Sequence, residues 1–102
     1  MNVLEWINLQ EQVRRFLCYL SNADLPEPDN IRFSDIHDDQ VRLDWKHQGM
    51  PLIRVYVRSN GFAYWVERDH ASPWQGVQQF DLSTSRLPEG LNKAIKKVKE
   101  TK

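Results

Sequence analysis

The residues most capable of chemistry are three histidines, one cysteine and a set of arginines interleaved with aromatic residues. His37, His47 and His70 could ligate a metal or act in catalysis, but none has a second histidine or a cysteine at ligand spacing. His37 stands beside Asp38 and Asp39, and such a tip between strands is typical of a turn, where aspartate side chains accept backbone hydrogen bonds. We therefore predict no metal site and no bound cofactor.

Patterns of nucleophilic catalysis are missing from the sequence. It has no Gly-x-Ser-x-Gly elbow and no phosphate-cradling glycine loop, and glycine occurs only 4 times. Cys18 lies just off the apolar stripe of a predicted helix, where a thiol usually acts as a small hydrophobic side chain. A metal-free ribonuclease could be assembled from Arg42, Arg54, Arg58 and His70, but any small basic sheet offers such a set. We predict that the protein is not an enzyme.

The more informative residues alternate along predicted strands. Arginine beside tyrosine and tryptophan is typical of protein–protein hot spots and of platforms that stack single-stranded nucleic acid. If the strands pair as predicted below, one open sheet face carries Arg32, Arg42, Arg54, Tyr56, Arg58 and Trp65. Trp74, in a Ser-Pro-Trp-Gln-Gly loop, either fills one end of the sheet or is an exposed anchor. In the alternative, these side chains only form cross-strand ladders, with Arg54 neutralised by Asp44 and Glu67.

A hairpin over residues 51–68 is expected to hold these side chains. Two apolar alternations flank Asn60-Gly61, and both of these residues accept the positive φ of a two-residue type I′ turn. The pairs that follow are Val57–Tyr64, Val55–Val66 and Ile53–Arg68 on an apolar face, and Arg58–Ala63, Tyr56–Trp65 and Arg54–Glu67 on the other.

The preceding strand extends the same pattern, because apolar and charged residues alternate from Val41 to Lys46. A three-residue loop, Gln48-Gly49-Met50, keeps the apolar residues together, whereas a two-residue loop would mix the faces. The predicted pairs are Trp45–Ile53, Leu43–Val55 and Val41–Val57.

Helices are predicted at both ends of the chain. Residues 3–21 have helical apolar spacing, with Asn2 as N-cap and Glu5 as its capping-box partner. Strands are predicted at 31–36 and 77–82, and a second amphipathic helix begins near Pro88. The fold class is α+β: an N-terminal helix, an antiparallel meander of four to five strands and a C-terminal helix. Both helices should cover the sheet face that carries Val41, Leu43, Trp45, Val55, Val57, Tyr64 and Val66.

Composition narrows the class of protein. The 102 residues suit one domain, residues 1–102, and 14 basic residues balance 14 acidic ones. Net neutrality argues against a strongly basic nucleic-acid binder and against an acidic DNA mimic. One cysteine allows no intramolecular disulfide, and no apolar run approaches the ~20 residues of a membrane span. We expect a cytoplasmic protein without membrane contact.

Five short patterns follow one another in the chain: Leu25-Pro-x-Pro28, Val41-x-Leu-x-Trp45, Gly49, Gly61 with Tyr64, and Leu87-Pro88. Their order resembles that of small uncharacterised bacterial proteins built on strands separated by glycine turns. The resemblance covers roughly residues 25–98. It implies a bacterial or phage source and carries over no activity and no catalytic residue.

We therefore expect a small non-enzymatic binding protein that docks onto a protein partner. An inhibitor, immunity or accessory factor, related to bacterial or phage defence, fits these observations. The alternative is a nucleic-acid-binding module that uses the open sheet face and the lysines of the last helix. The predicted partner-binding residues are Arg42, Arg54, Tyr56, Arg58, Trp65 and Trp74.

Overall fold

Two α-helices and five β-strands form the described part of the chain. The computed structural model describes residues 2–33, 39–70 and 72–100, with the side chain of Val77 excepted. The elements are α1 (Val3–Asn22), β1 (Asn30–Phe33), β2 (Gln40–His47), β3 (Met50–Arg58), β4 (Phe62–Glu67), β5 (Gln75–Asp81), a 3-10 turn (Leu82–Thr84) and α2 (Glu89–Glu100). The strands form one antiparallel sheet in the order β1-β2-β3-β4-β5. The predicted α+β meander between two helices is confirmed.

Helix α1 begins as the sequence predicts. The backbone N–H of Glu5 donates to Asn2 Oδ1 at 2.8 Å, and the Asn2 amide donates back to the Glu5 carboxylate at 3.1 Å. This reciprocal cap satisfies one of the free N–H groups that every helix start leaves. The helix ends before Asp24, whose φ of 58° leaves the helical region. Among the described residues, no helix is long and apolar enough to span a membrane.

Both helices pack on one face of the sheet, as predicted. Phe16 of α1 meets Trp45 edge-on, with ring centroids 6.2 Å apart, and the Trp45 indole N–H donates to the Pro26 carbonyl at 3.0 Å. The tryptophan is therefore fully buried with its polar atom satisfied. The helices contribute Leu9, Phe16, Leu20, Leu91 and Ile95 to this core, and the sheet contributes Val41, Leu43, Trp45, Ile53, Val55, Val57, Ala63 and Trp65.

The β2–β3 hairpin has the predicted apolar pairs but a different loop. Gln48 and Gly49 both have positive φ, 52° and 80°, so they form a two-residue turn, and the predicted three-residue loop is wrong. Beyond Trp45–Ile53, Lys46 pairs with Pro51, so one extra residue bulges from β3. Because of this bulge, the apolar residues of β2 still face those of β3, an alignment that the prediction obtained from a loop with an odd number of residues.

The β3–β4 register is one residue away from the prediction. Only Gly61 of the Asn60-Gly61 pair has positive φ, 91°, and its N–H donates to the Arg58 carbonyl at 3.3 Å. A three-residue loop, Ser59 to Gly61, therefore replaces the expected type I′ turn, and it has the form of a type I turn followed by a left-handed glycine. The observed pairs are Val57–Ala63, Tyr56–Tyr64, Val55–Trp65, Arg54–Val66 and Ile53–Glu67.

A shift of one residue exchanges the two faces of β4. Tyr64 and Val66, predicted to face the helices, lie half-buried on the opposite side of the sheet. Ala63 and Trp65 take their places in the core, with exposed fractions of 0% and 8%. The indole lies against Gly90 of α2, where a Cβ would stand in ordinary van der Waals contact, 3.5 Å from Trp65. The register thus buries Trp65 and leaves the Tyr64 hydroxyl outside the core.

Aspartate substitutions at two valines distinguish the registers. We expect Val55→Asp to unfold the domain, because an unpaired buried carboxylate costs several kcal/mol out of a typical ~5–15 kcal/mol. Val66→Asp should cost no more than about 1 kcal/mol, because Val66 is half-buried opposite Arg54. Urea denaturation of both variants makes the comparison. Equal unfolding by the two substitutions would contradict the observed register.

Candidate functional site

The sheet face directed away from the helices is the candidate functional site, and we call it the outer face. In the described part of the chain, no helix packs against it. Strand alternation places there the polar residues of β1, β2 and β3 together with the even-numbered residues of β4. The outer face includes Arg32, Gln40, Arg42, Asp44, Arg54, Tyr56, Arg58, Phe62, Tyr64 and Val66, the β5 residues Gln79 and Asp81, and Arg68 and Trp74 at its β4–β5 end.

A buried carboxylate orients two of its arginines. Asp44 is 1% exposed, and its two oxygens lie 3.4 Å from Arg42 Nε and 3.1 Å from Arg54 Nε. Arg42 is two residues away on the same strand, and Arg54 is the cross-strand partner. The predicted neutralisation of Arg54 by Asp44 is thus observed, whereas Glu67 pairs with Ile53 instead. The contact of Arg54 is a charge-assisted hydrogen bond, whereas that of Arg42 is an ion pair in which Nε makes no hydrogen bond.

Two tyrosines stack at the centre of the outer face. The rings of Tyr56 and Tyr64 are nearly parallel, at 16°, with centroids 4.7 Å apart. The Tyr64 hydroxyl donates to Gln40 Oε1 at 3.3 Å, and Gln40 is fully buried. Burial raises the pKa of the Tyr64 phenol above its ordinary value. This pair was missed from the sequence, because the expected register placed Trp65 opposite Tyr56.

Trp74 lies at one end of the outer face, under two guanidinium groups. The Arg54 and Arg68 guanidinium carbons lie 4.7 and 4.3 Å from the centroid of its ring. These distances are within the range of cation–π attraction. The half-buried indole therefore covers one end of the sheet, and it belongs to the same surface as the arginines. Arg68 was not predicted for this site, because the expected register assigned it to the apolar face.

Trp65 does not lie on the outer face, and the prediction that it shares this face is wrong. Its indole packs among the core residues beside Gly90, on the helix side of the sheet. Arg58 does lie on the outer face, where its Nη2 is 3.4 Å from Asp39 Oδ2. Of the six predicted partner-binding residues, the structure brings together Arg42, Arg54, Tyr56, Arg58 and Trp74.

Charge is distributed unequally between the two sides of the sheet. On the outer face, the five arginines outnumber the acidic residues Asp39, Asp44 and Asp81, the last of which lies opposite Phe62. The lysines of α2 lie in the helix layer, on the other side of the sheet, and Lys99 bonds Asp29 there at 2.5 Å. A chain of zero net charge thus presents a locally cationic surface.

The other candidate residues lie elsewhere. His47 and His70 come together at one end of the sheet, with ring centroids 6.2 Å apart, and His37 lies outside the described residues. Within the described ranges, no group of three or more His, Cys, Asp or Glu side chains could hold a metal ion. Cys18 is exposed on α1 as a free thiol.

Removal of the Asp44 charge tests its part in this surface. Asp44→Asn should lower the free energy of unfolding by about 2 kcal/mol or more, because it leaves two guanidinium groups, each about one-fifth exposed, without their counter-charge. The matched control, Asp39→Asn, breaks a more exposed pair and should cost less than ~1 kcal/mol. Chemical denaturation measures both values. Losses of equal size would argue against an organising carboxylate.

Alkaline pH should destabilise the fold through Tyr64. The folded pKa of this phenol lies above that of the unfolded chain, so its contribution is complete below the ordinary value of about 10 and declines as the pH rises through the folded pKa. Tyrosinate absorbance and melting temperature, followed together above pH ~10, report the effect. Tyr64→Phe should flatten the decline, whereas Tyr56→Phe should retain it. The same slope in all three proteins would refute the assignment.

No protein-family model, no curated protein and no solved structure matches this chain.

Proposed function

We propose that this chain is a non-enzymatic binding protein whose outer face docks onto an acidic surface of a protein partner. The role is that of an inhibitor, immunity or accessory factor, in a setting related to bacterial or phage defence. One observation carries the proposal: an uncovered sheet face that combines arginine, tyrosine and tryptophan and on which arginines outnumber acidic residues. These three residue types dominate the energy of protein interfaces.

The outer face is also ordered before any partner binds. The guanidinium groups of Arg42 and Arg54 are held by Asp44, and the Trp74 ring lies under Arg54 and Arg68. Association normally costs about 0.5–1.5 kcal/mol for each long side chain that it immobilises. A surface whose arginines are already restricted avoids much of this cost. Its positive charge also speeds encounter with an acidic partner.

Two observations disfavour the nucleic-acid alternative. Parallel rings with centroids 4.7 Å apart overlap face to face, so Tyr56 and Tyr64 stack on each other and present fewer free ring faces to bases. The lysines of α2 lie behind the sheet, so a strand bound on the outer face would not reach them together with the arginines. The arginines of the outer face and the lysines of α2, which this alternative combines, therefore lie on opposite sides of the sheet.

Affinity capture with charge-reversal variants tests the proposal. The immobilised chain, Arg58→Glu and the control Lys96→Glu are compared by quantitative mass spectrometry of retained proteins. Both substitutions change the charge by two units, but only the first lies on the outer face. We expect one protein to be retained by the unmodified chain and by Lys96→Glu, and its Kd for Arg58→Glu to rise at least ~10-fold. Thermal melts of each bait verify folding.

Trp74→Ala provides a second outer-face variant that leaves the charge unchanged.

Fluorescence anisotropy with a labelled oligouridine tests the nucleic-acid alternative on the same proteins. Oligouridine binding that is lost in Arg58→Glu and falls steeply with salt would replace the proposal by a nucleic-acid function. Partner binding that is insensitive to both outer-face substitutions would exclude the outer face as the docking surface.

A further inference from the structure

A second surface lies where the first turns of α1 meet the edge strand β1. Five of the eight large hydrophobic side chains that are exposed in the described part of the chain lie here. Their exposed fractions run from 38% to 75%. We call this surface the apolar patch, and it consists of Val3, Trp6, Ile7, Ile31 and Phe33.

The patch is continuous from the strand onto the helix. The Trp6 ring stacks on Phe33, with centroids 5.2 Å apart and planes at 26°, which joins the two elements. A shallow cavity of about 190 Å³ beside this pair is lined mainly by apolar side chains, including Val13 and Ile31. A helix turns by about 100° per residue, so Val3 and Ile7 follow Trp6 round α1 and extend the surface.

The patch borders an unprotected sheet edge. In the described residues, β1 pairs with β2 alone, so its other side leaves backbone N–H and C=O groups without a strand partner. The opposite edge strand, β5, has a left-handed Gly76 at a register irregularity, a feature that discourages edge pairing. Strand β1 is four residues long, with Arg32 as its one charged residue and no proline or bulge, and it directs Ile31 and Phe33 to the side of the apolar patch.

We propose that the apolar patch is the dimer interface of this protein, and that its occupant is the same patch of a second copy. The two β1 strands pair antiparallel about a two-fold axis, and a continuous ten-stranded sheet results. In an antiparallel pair, side chains directly opposite each other lie on the same face of the sheet. The two-fold axis must therefore pass at a residue, either Ile31 or Arg32, and not between two residues. In both registers, Ile31 and Phe33 of the two copies meet on the side of the sheet that carries α1.

The size and charge of the patch fit a second copy. Large apolar and aromatic side chains present about 150–250 Å² when free, so these exposed fractions amount to on the order of 500 Å² per copy. That is within the range of the largest patch on a typical monomer, about 300–600 Å², and the pairing of the two β1 strands adds area toward the ~800 Å² that each partner contributes to a standard interface. The chain has zero net charge, and an axis at Ile31 keeps the two copies of Arg32 from lying directly opposite each other. Two-fold dimers are also the commonest oligomers.

Sedimentation equilibrium of the purified chain tests the proposal. We expect the weight-average mass to rise from one to two chain masses between roughly 1 μM and 1 mM. Ile31→Lys should raise the dimer Kd at least ~10-fold, because it places like charges within one interface. The control Met50→Lys makes the same change at an exposed residue of the β2–β3 hairpin, away from the patch, and should dimerise like the unmodified chain.

Ile7→Lys, on α1, is the second variant and is used if Ile31→Lys does not fold. A monomer at every concentration overturns the proposal. Dimerisation that neither patch variant weakens also overturns it, because the interface then lies elsewhere. The Arg58→Glu variant should dimerise normally, so this test is independent of the function proposed for the outer face.

Discussion

Alternation along an antiparallel strand leaves the side chains of β4 only two possible arrangements, and the loop at Gly61 selects between them. With its left-handed backbone after a type I turn, Gly61 closes a three-residue loop. This loop directs Ala63 and Trp65 to the helices and Tyr64 to the outer face. The core and the candidate site are therefore coupled, because a two-residue loop without a bulge would exchange the residues of both. Burial of Trp65 against Gly90 and stacking of the two tyrosines favour the same register.

The outer face shows how a polar sheet surface becomes ordered without a covering layer. Asp44 is almost completely buried, although it belongs to the polar row of β2. A buried carboxylate is tolerated here because two guanidinium groups neutralise it. One of these groups, that of Arg54, also lies against Trp74. Electrostatic and aromatic contacts thus link β2, β3 and the segment before β5 into one surface that holds its shape in the free protein.

The two proposed surfaces differ in the physics of their recognition. The outer face is cationic and hydrogen-bonding, whereas the apolar patch at α1 and β1 offers hydrophobic area beside free backbone groups. The outer face lies on one side of the sheet, and the α1 part of the patch lies on the other. In the dimer that we propose, the two outer faces share one side of a continuous sheet. A partner with repeated acidic surfaces would then bind both copies, and the second contact would benefit from a raised effective concentration.

Local sequence determined the elements of this protein and the β2–β3 pairing. Asn2 and Glu5 identify the start of α1, and the alternation from Val41 to Lys46 places Val41, Leu43 and Trp45 on the core face without any knowledge of the loop. Period and capping are short-range properties, so they can be recognised in a single sequence.

Only the tertiary structure decided the loop at Gly61 and the bulge after Trp45. Asn60-Gly61 is compatible with a two-residue and with a three-residue loop, and the local energies of the two differ little. The observed loop brings Trp65 against Gly90 of α2, a contact between residues far apart in the chain that local sequence does not specify. For the same reason, the sequence identified Arg42, Arg54, Tyr56, Arg58 and Trp74 correctly for the outer face, but it included Trp65 and missed Tyr64 and Arg68.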